Sequence, residues 1–249
     1  MRNLKLILAY DGTDFAGWQV QPAAPTIQGT LASAIGRLTG EKVLPQGSGR
    51  TDAGVHAARQ VATFATESAI PAENFLKALN DILPMTIRVL EAKEALPEFH
   101  ARKSARAKSY CYRIFRGGIC PPFVARYVWH YPYPLDEGAM QKAANEIVGE
   151  HDFTSFAASD PERGKPEATS NIRSVYSSQW ERMGDEFLYR VRGNGFLHHM
   201  VRNLVGTFIL VGKGTLGPGD ISRILQARDR SAAGATAAAS GLHLMDVEY

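Results

Sequence analysis

Cysteine is scarce: Cys111 and Cys120 are the only two in 249 residues. They allow one bridge at most and no C-x-x-C motif, which fits a reducing compartment. Long hydrophobic runs are missing too. The strongest, Leu204 to Val211, is too short to span a bilayer. Leu6 to Ala9, behind Arg2 and Lys5, is too short for the core of a signal peptide. A soluble, cytoplasmic protein with no membrane partner is therefore expected. The chain also lacks H-E-x-x-H, G-x-S-x-G and G-K-[ST], and its seven histidines have no cysteine-supported ligand spacing. His198 and His199 are adjacent, so they cannot both address one metal from a helix face; His199 is expected as a packed ring at a helix start. Acidic residues are absent from Phe99 to Leu135, while Arg102, Lys103, Arg106, Lys108, Arg113, Arg116 and Arg126 all fall there, interleaved with Tyr110, Tyr112, Phe115 and Phe123. Cations among aromatics suit phosphate neutralisation and base stacking. A solvated, aggregation-resistant strand edge is the plainer alternative. The formal net charge, +3, decides nothing without this distribution.

What is present is ample core material, with 45% hydrophobic and 21% charged residues. That is enough for one large domain or two small ones and argues against wholesale disorder. Leu4, Leu6 and Leu8 alternate as a strand, and Asp11-Gly12 marks its end. Pro25 and Thr26 open a helix with Ile27, Leu31, Ile35 and Leu38 on one face, stopped by Gly40. Val43 and Leu44 make at most a short strand. Arg59 to Ala65 alternates as another. Pro71 starts a helix carrying Phe75, Leu79 and Ile82 inward, Pro84 ends it, and Thr86 to Glu94 is again strand-like. The second half repeats the plan. Ala107 to Arg116 is a strand with Tyr110 and Tyr112 on one face. Asp136 caps a helix burying Ala139, Met140, Ala143 and Ile147, closed by Gly149. Ile172 to Arg182 and Glu186 to Arg192 form a hairpin around Gly184-Asp185. A helix follows through Leu197, Met200, Val201, Leu204, Val205 and Phe208, then a short helix from Asp220 to Ala227 and a strand from Leu242 to Glu248.

Each half thus reads as the β-α-β-β-α-β unit of ferredoxin-like folds. The expected class is α+β, with halves at 1–103 and 104–249, a largely antiparallel sheet and helices on one face. Such a sheet leaves its other face, and the crevice between halves, for a ligand. Ser159 to Asn171 is read as a mobile polar insertion. Gly212-Lys213-Gly214-Thr215-Leu216-Gly217 fits G-x-G-x-x-G, but a dinucleotide loop follows a strand, and the preceding apolar positions are spaced as a helix. The Ala-rich tract from Ser231 to Ser240 is read as a tightly packed bend or helix.

One stretch stands out, Gly47-Ser48-Gly49-Arg50-Thr51-Asp52-Ala53-Gly54-Val55-His56, which sets three glycines around one carboxylate. Such glycine spacing marks a tight turn. Arg50 lies two positions before Asp52, so their charges can pair, and a nearby cation keeps a carboxylate ionised. That suits a nucleophile or base; a surface loop with a capping Asp is the inert alternative. With no metal motif, cofactor motif or triad elsewhere, Asp52 is the one candidate reactive centre. A lone carboxylate suffices to isomerise a base brought out of its stack.

Gly49 to Ala57 resembles the catalytic motif of the tRNA pseudouridine synthase A family. Further likenesses run through the chain: Tyr10-Asp11-Gly12 with Gly17-Trp18-Gln19, Phe99-His100-Ala101-Arg102, Lys108-Ser109-Tyr110-Cys111-Tyr112, Asp152 to Phe156, Phe196 to Asn203, and Gly241-Leu242 with its strand. Many members carry a basic residue where Val20 stands, which removes one phosphate contact here. The resemblance implies isomerisation of uridine to pseudouridine at positions 38 to 40 of the tRNA anticodon stem-loop, in an RNA-binding cleft of a homodimer, with no metal and no organic cofactor. It implies Asp52 as nucleophile, Arg50 pairing with it and filling the space of the flipped nucleotide, and Tyr110 stacking on the base and able to take a proton. It further implies Arg202 holding the carboxylate and Leu242 packing on the base. His56, Arg102 and Lys108, which lie within the matched motifs, are expected substrate contacts.

Overall fold

A computed structural model describes residues 1–158 and 170–249. The polar insertion expected from Ser159 to Asn171 lies outside the described residues, apart from Ser170 and Asn171. In chain order the elements are β1 (Arg2–Tyr10), α1 (Ile27–Thr39), β2 (Gln46–Gly47), β3 (His56–Thr66), α2 (Ala72–Ile82), β4 (Ile87–Ala95), β5 (Ala107–Phe115), α3 (Pro122–Ala125), β6 (Trp129–His130), α4 (Glu137–Asn145), β7 (Gly149–Asp152), β8 (Ile172–Met183), β9 (Glu186–Gly193), α5 (Met200–Gly212), α6 (Asp220–Ala227) and β10 (Leu242–Glu248). They cluster into two units, residues 1–106 with 243–249, and residues 107–242.

In the first unit the strands run β4-β1-β3-β2, every neighbour antiparallel. This is the strand order of a β-α-β-β-α-β unit. β1 buries Leu4, Leu6 and Leu8 completely, and across the register they face Phe64, Ala62 and Gln60 of β3. α1 starts where the Thr26 side chain accepts a hydrogen bond from the Gly29 N–H, and it stops at Gly40, whose φ is 72°. In α2, Phe75 and Leu79 are buried but Ile82 is only half-buried. Leu83 takes the inward place instead, because the chain becomes extended there (φ −69°, ψ 146°) ahead of Pro84. The short strand expected at Val43-Leu44 does not form. Leu44 is exposed, and pairing with β3 begins two residues on, at Gln46↔Thr63. β10 joins this unit by parallel pairing with β3 at His243↔His56 and Leu244↔Ala57. The Tyr249 hydroxyl donates to the Ala101 carbonyl at 2.8 Å, and its ring lies 4.2 Å from the Lys5 Nζ.

In the second unit β5, β9, β8 and β7 are successive antiparallel neighbours, and β6 adds to β5 in parallel. β8 and β9 form the expected hairpin, closing at Met183↔Glu186. α4 packs against α5 and β8. Asp136 caps α4 as expected, accepting from the Ala139 N–H at 2.8 Å. The helix ends at Asn145, not Gly149, which instead opens β7. Ile147 is fully buried although it lies beyond the helix, while Ala139 is only half-buried. β6, β7 and α3 had no strong signal in the sequence, being only two to four residues long.

A helix, α5, runs directly into the Gly212 loop, so the dinucleotide reading of that motif falls. The Ala-rich tract is a packed bend with a single 3-10 turn at each end. Its backbone lies so close to α5 that a Cβ on Gly206 would sit 1.7 Å from the Ala235 carbonyl oxygen. Asn203 ties the same tract down, its Oδ1 accepting from Thr236 Oγ1 at 2.7 Å and Arg230 at 3.0 Å. Gly206→Ala is accordingly expected to destabilise the protein by about 1–3 kcal/mol or more in urea unfolding. Gly219→Ala, at φ −67° with open space around it, should be neutral or stabilise by up to about 1 kcal/mol.

Candidate active site

Between β2 and β3, residues 48–55 have no regular structure of their own, yet they are pinned from beneath by side chains of β1 and β3. A register shift between β1 and β3 carries Leu8↔Gln60 to Tyr10↔Ala57, so β3 holds one extra residue there. Such bulges re-aim side chains. Gln60 is fully buried in the same inward row as Ala62 and Phe64. Its Oε1 accepts from the Ser48 hydroxyl at 2.6 Å and the Val61 N–H at 3.1 Å. Its Nε2 donates to the Gly49 carbonyl at 3.0 Å and the Tyr10 hydroxyl at 3.4 Å. Tyr10 lies 2.9 Å from Thr51 Oγ1. Ser48, Gly49 and Thr51 are thereby fixed, and Asp52 follows at once, half-buried.

The other side of the loop is held by the segment after β1. The Thr51 carbonyl accepts from the Trp18 N–H at 3.0 Å, and Gly54 donates to the Phe15 carbonyl at 3.3 Å. Gly17 has φ 89°, and a Cβ there would lie 2.6 Å from the Thr51 carbonyl oxygen, so only glycine lets the two segments meet. Trp18 is buried, with Gly47 against its indole. Val55 donates to the Asp52 carbonyl at 3.1 Å, closing a turn directly over the carboxylate-bearing residue. His56, the first residue of β3, is buried; its Nδ1 accepts from the Gly12 N–H at 3.1 Å and lies 3.3 Å from Asp11 Oδ1. Its ring stacks on His243 with centroids 4.7 Å apart. Arg50 and Arg102 are exposed.

In the second unit Tyr110 and Tyr112 share one face of β5 by strand alternation, as expected, and Lys108 falls in the same row. Tyr110 meets Phe196 edge-on at 5.1 Å. Tyr112 is fully buried and donates to the Ala238 carbonyl at 2.7 Å; burial pushes its phenol well up, and the Arg202 charge pulls the other way. Arg202 is on α5, where its Nε donates to the Ala237 carbonyl at 2.8 Å. Leu242 is buried at the start of β10. The basic run is only partly a surface. Arg113 makes two bonds to Glu186 at 2.6 and 2.7 Å, and Arg116 donates to the Tyr131 and Tyr133 carbonyls. Both therefore hold the unit together. His199 stands at a helix start, as expected, but the expected separation of His198 and His199 does not hold. They precede α5, with His199 at φ 58°, and their rings lie 4.0 Å apart, so helix geometry does not separate them.

With the Asp52 loop and the Tyr110 strand in place, the chain's relationships are clear. Residues 6–102 and 143–249 match the family described as tRNA pseudouridine synthase, and the chain belongs to it. Its full-length relatives carry a narrower name. It is 51% identical to "tRNA pseudouridine synthase A" of Solibacter usitatus and 46% identical to that of Brevibacillus brevis, each over 249 residues and all of both chains. Over 251 residues, again covering both chains fully, it is 48% identical to that of Moorella thermoacetica. The protein is an isomerase that makes pseudouridine in tRNA. A solved chain from a Cbf5-Nop10-Gar1 complex is a far weaker likeness, with TM-score 0.35, 13% identity, and coverage of 96% of this chain and 57% of that one.

The loop stands out in the sequence, but the residues that hold it do not. Gln60, Ser48 and Thr51 received no role, nor did Phe196 or His243. The one readable signal was Gln60, a polar residue in the row that Ala62 and Phe64 mark as inward. Tyr10 yields a pH prediction. Burial pushes its phenol from 10.0 up to about 12, while the bonds to Thr51 and Gln60 pull it down. The native state then keeps a proton that the unfolded chain releases. Stability is full below about pH 10 and falls as the pH climbs towards 12, by about 1–3 kcal/mol from this group. Tyr189 and Tyr112 shift the same way. Urea unfolding at pH 9 and pH 11 should show that loss, with a smaller pH dependence in Tyr10→Phe.

Proposed function

We propose that this isomerase acts on the anticodon stem-loop of tRNA, at positions 38, 39 and 40, with Asp52 as its nucleophile. The observation carrying the proposal is that Asp52 sits half-buried on a loop anchored on both sides, through Ser48, Gly49 and Thr51 to β1 and β3 and through Thr51 and Gly54 to the Phe15–Trp18 segment. A carboxylate so placed loses little freedom when it attacks.

Converting uridine to pseudouridine breaks the bond from N1 to the sugar C1′ and forms one from C5 to C1′. The C5 proton leaves to solvent and N1 gains one, so the product is an isomer. A base paired or stacked in a stem must first be turned out. Asp52 then forms the covalent bond that splits the reaction into two steps, either to the sugar or to the base ring. Arg50, exposed on the same loop, pairs with Asp52 and occupies the space of the flipped nucleotide. Tyr110 stacks on the uracil and takes a proton, Arg202 is a catalytic cation, and Leu242 packs on the base. Arg102, Lys108 and His56 contact substrate. The division of labour follows the two halves, 1–103 with the Asp loop and 104–249 with the aromatic-basic strand. The enzyme works in the cytoplasm as a homodimer.

Tritium release from tRNA labelled at uridine C5 tests this directly. Wild type should release label, while Asp52→Ala and Asp52→Asn should lose turnover by roughly 10⁴-fold or more and still bind tRNA in a salt-dependent manner. Turnover retained in either variant would remove Asp52 as nucleophile. Release confined to uridines outside positions 38 to 40 would move the target.

A further inference from the structure

We propose that Gln60 is a positioning residue for the Asp52 carboxylate: its buried amide fixes the backbone of residues 48 to 51, and with it the point from which Asp52 attacks. The inference rests on the reading of Asp52 as nucleophile.

The amide is used to its full capacity. A glutamine side chain has two acceptor sites and two donors, and here Oε1 takes two hydrogen bonds and Nε2 gives two. Two of the partners allow only one role: the Val61 N–H can only donate and the Gly49 carbonyl can only accept. Turning the amide over would set N–H against N–H and oxygen against oxygen, so its orientation follows from these partners. The sense of the chain follows as well. Ser48 donates to Gln60, Gln60 donates to Tyr10, and Tyr10 has its own proton left for Thr51, 2.9 Å away. Every bond from Gln60 ends on the loop that precedes Asp52, on Tyr10, which continues to that loop, or on the backbone next door.

A purely structural amide could equally have been an apolar residue, since its neighbours in the row are Ala62 and Phe64. Filling a core does not require four oriented bonds; holding an irregular loop at a set height does. The loop has no ladder of its own beyond β2, where Ser48 adds one backbone bond to the Val61 carbonyl at 2.8 Å. Loss of the amide would leave the Gly49 carbonyl and the Ser48 hydroxyl without these partners and let the 49–52 segment shift. A shift of about 1 Å in a reacting group costs about 10²-fold in rate.

The experiment measures single-turnover tritium release, tRNA affinity and thermal unfolding for wild type, Gln60→Leu, Gln60→Glu, Ser48→Ala and Asp52→Asn side by side. Gln60→Leu is expected to lose about 10²-fold in rate with tRNA affinity within about threefold of wild type. Ser48→Ala, which removes one bond, should lose less than tenfold and serves if Gln60→Leu does not fold. Gln60→Glu gives the readout that a packing role would not move. Its protonated acid can still donate to the Gly49 carbonyl and accept from Ser48, whereas its carboxylate cannot donate. Its rate should therefore fall with rising pH through a titration absent from wild type. Wild-type rates in folded Gln60→Leu, a rate loss matched by lost tRNA affinity, or a flat pH profile in Gln60→Glu would each overturn the proposal. Activity in Asp52→Asn is a separate outcome that removes the nucleophile, and with it the role assigned to Gln60.

Discussion

A buried amide must find partners for all of its hydrogen-bonding groups or destabilise the core around it. In the first unit that requirement falls on Gln28 and Gln60, and for Gln60 it is met by the loop that carries Asp52. Core and loop are therefore one construction. The inward rows of β1 and β3 are apolar along most of their length, then turn polar at the same end, with Tyr10 on one strand and Gln60 on the other. The bulge between them makes room for the change. From the other side, Gly17 and Trp18 close on Thr51 and Gly47 with no space for a further carbon. What looks in the sequence like a glycine-rich surface turn is a segment clamped between a buried polar cluster and a buried indole.

The second unit handles its charges differently. Strand alternation on β5 sends Lys108, Tyr110 and Tyr112 to one face and Arg113 to the other, where Glu186 neutralises it. A count of basic residues along the chain mixes these two populations. Arg113 and Arg116 belong to the architecture, through a carboxylate and through backbone carbonyls. Exposed Arg102 and Lys103 remain on the surface for solvent or a polyanion. Tyr110 and Tyr112 differ in kind as well, since one meets Phe196 edge-on and the other is sealed against Ala238.

Much of this was legible beforehand. The strand and helix order of the first half, both caps of α1, the β8–β9 hairpin and the bounds of α6 and β10 follow from periodicity and from residues such as Thr26, Gly40 and Gly184. The misreadings share a physical cause. Ile82, Leu83, Ile147 and Gly149 sit at helix ends, where the chain leaves the helical period and burial is decided by the neighbouring strand. β2 and β6 are two residues long and exist only because β3 and β5 offer an edge. The candidate site was legible as a motif, because glycine spacing and a single carboxylate are local. Its support was not, because Gln60 reaches Ser48 across twelve residues and Tyr10 across fifty.

β10 belongs by contact to residues 1–106, although the whole second unit lies between them in the chain. The strand that carries His243 onto His56 and Tyr249 onto Ala101 emerges from the ribosome only after residues 107–242 have been made. Vectorial synthesis therefore cannot finish the first unit first. During translation the nascent β3 edge must wait for its partner strand, exposed as an unpaired template. The loop bearing Asp52 abuts that edge, so the geometry around it is complete only after the strand arrives.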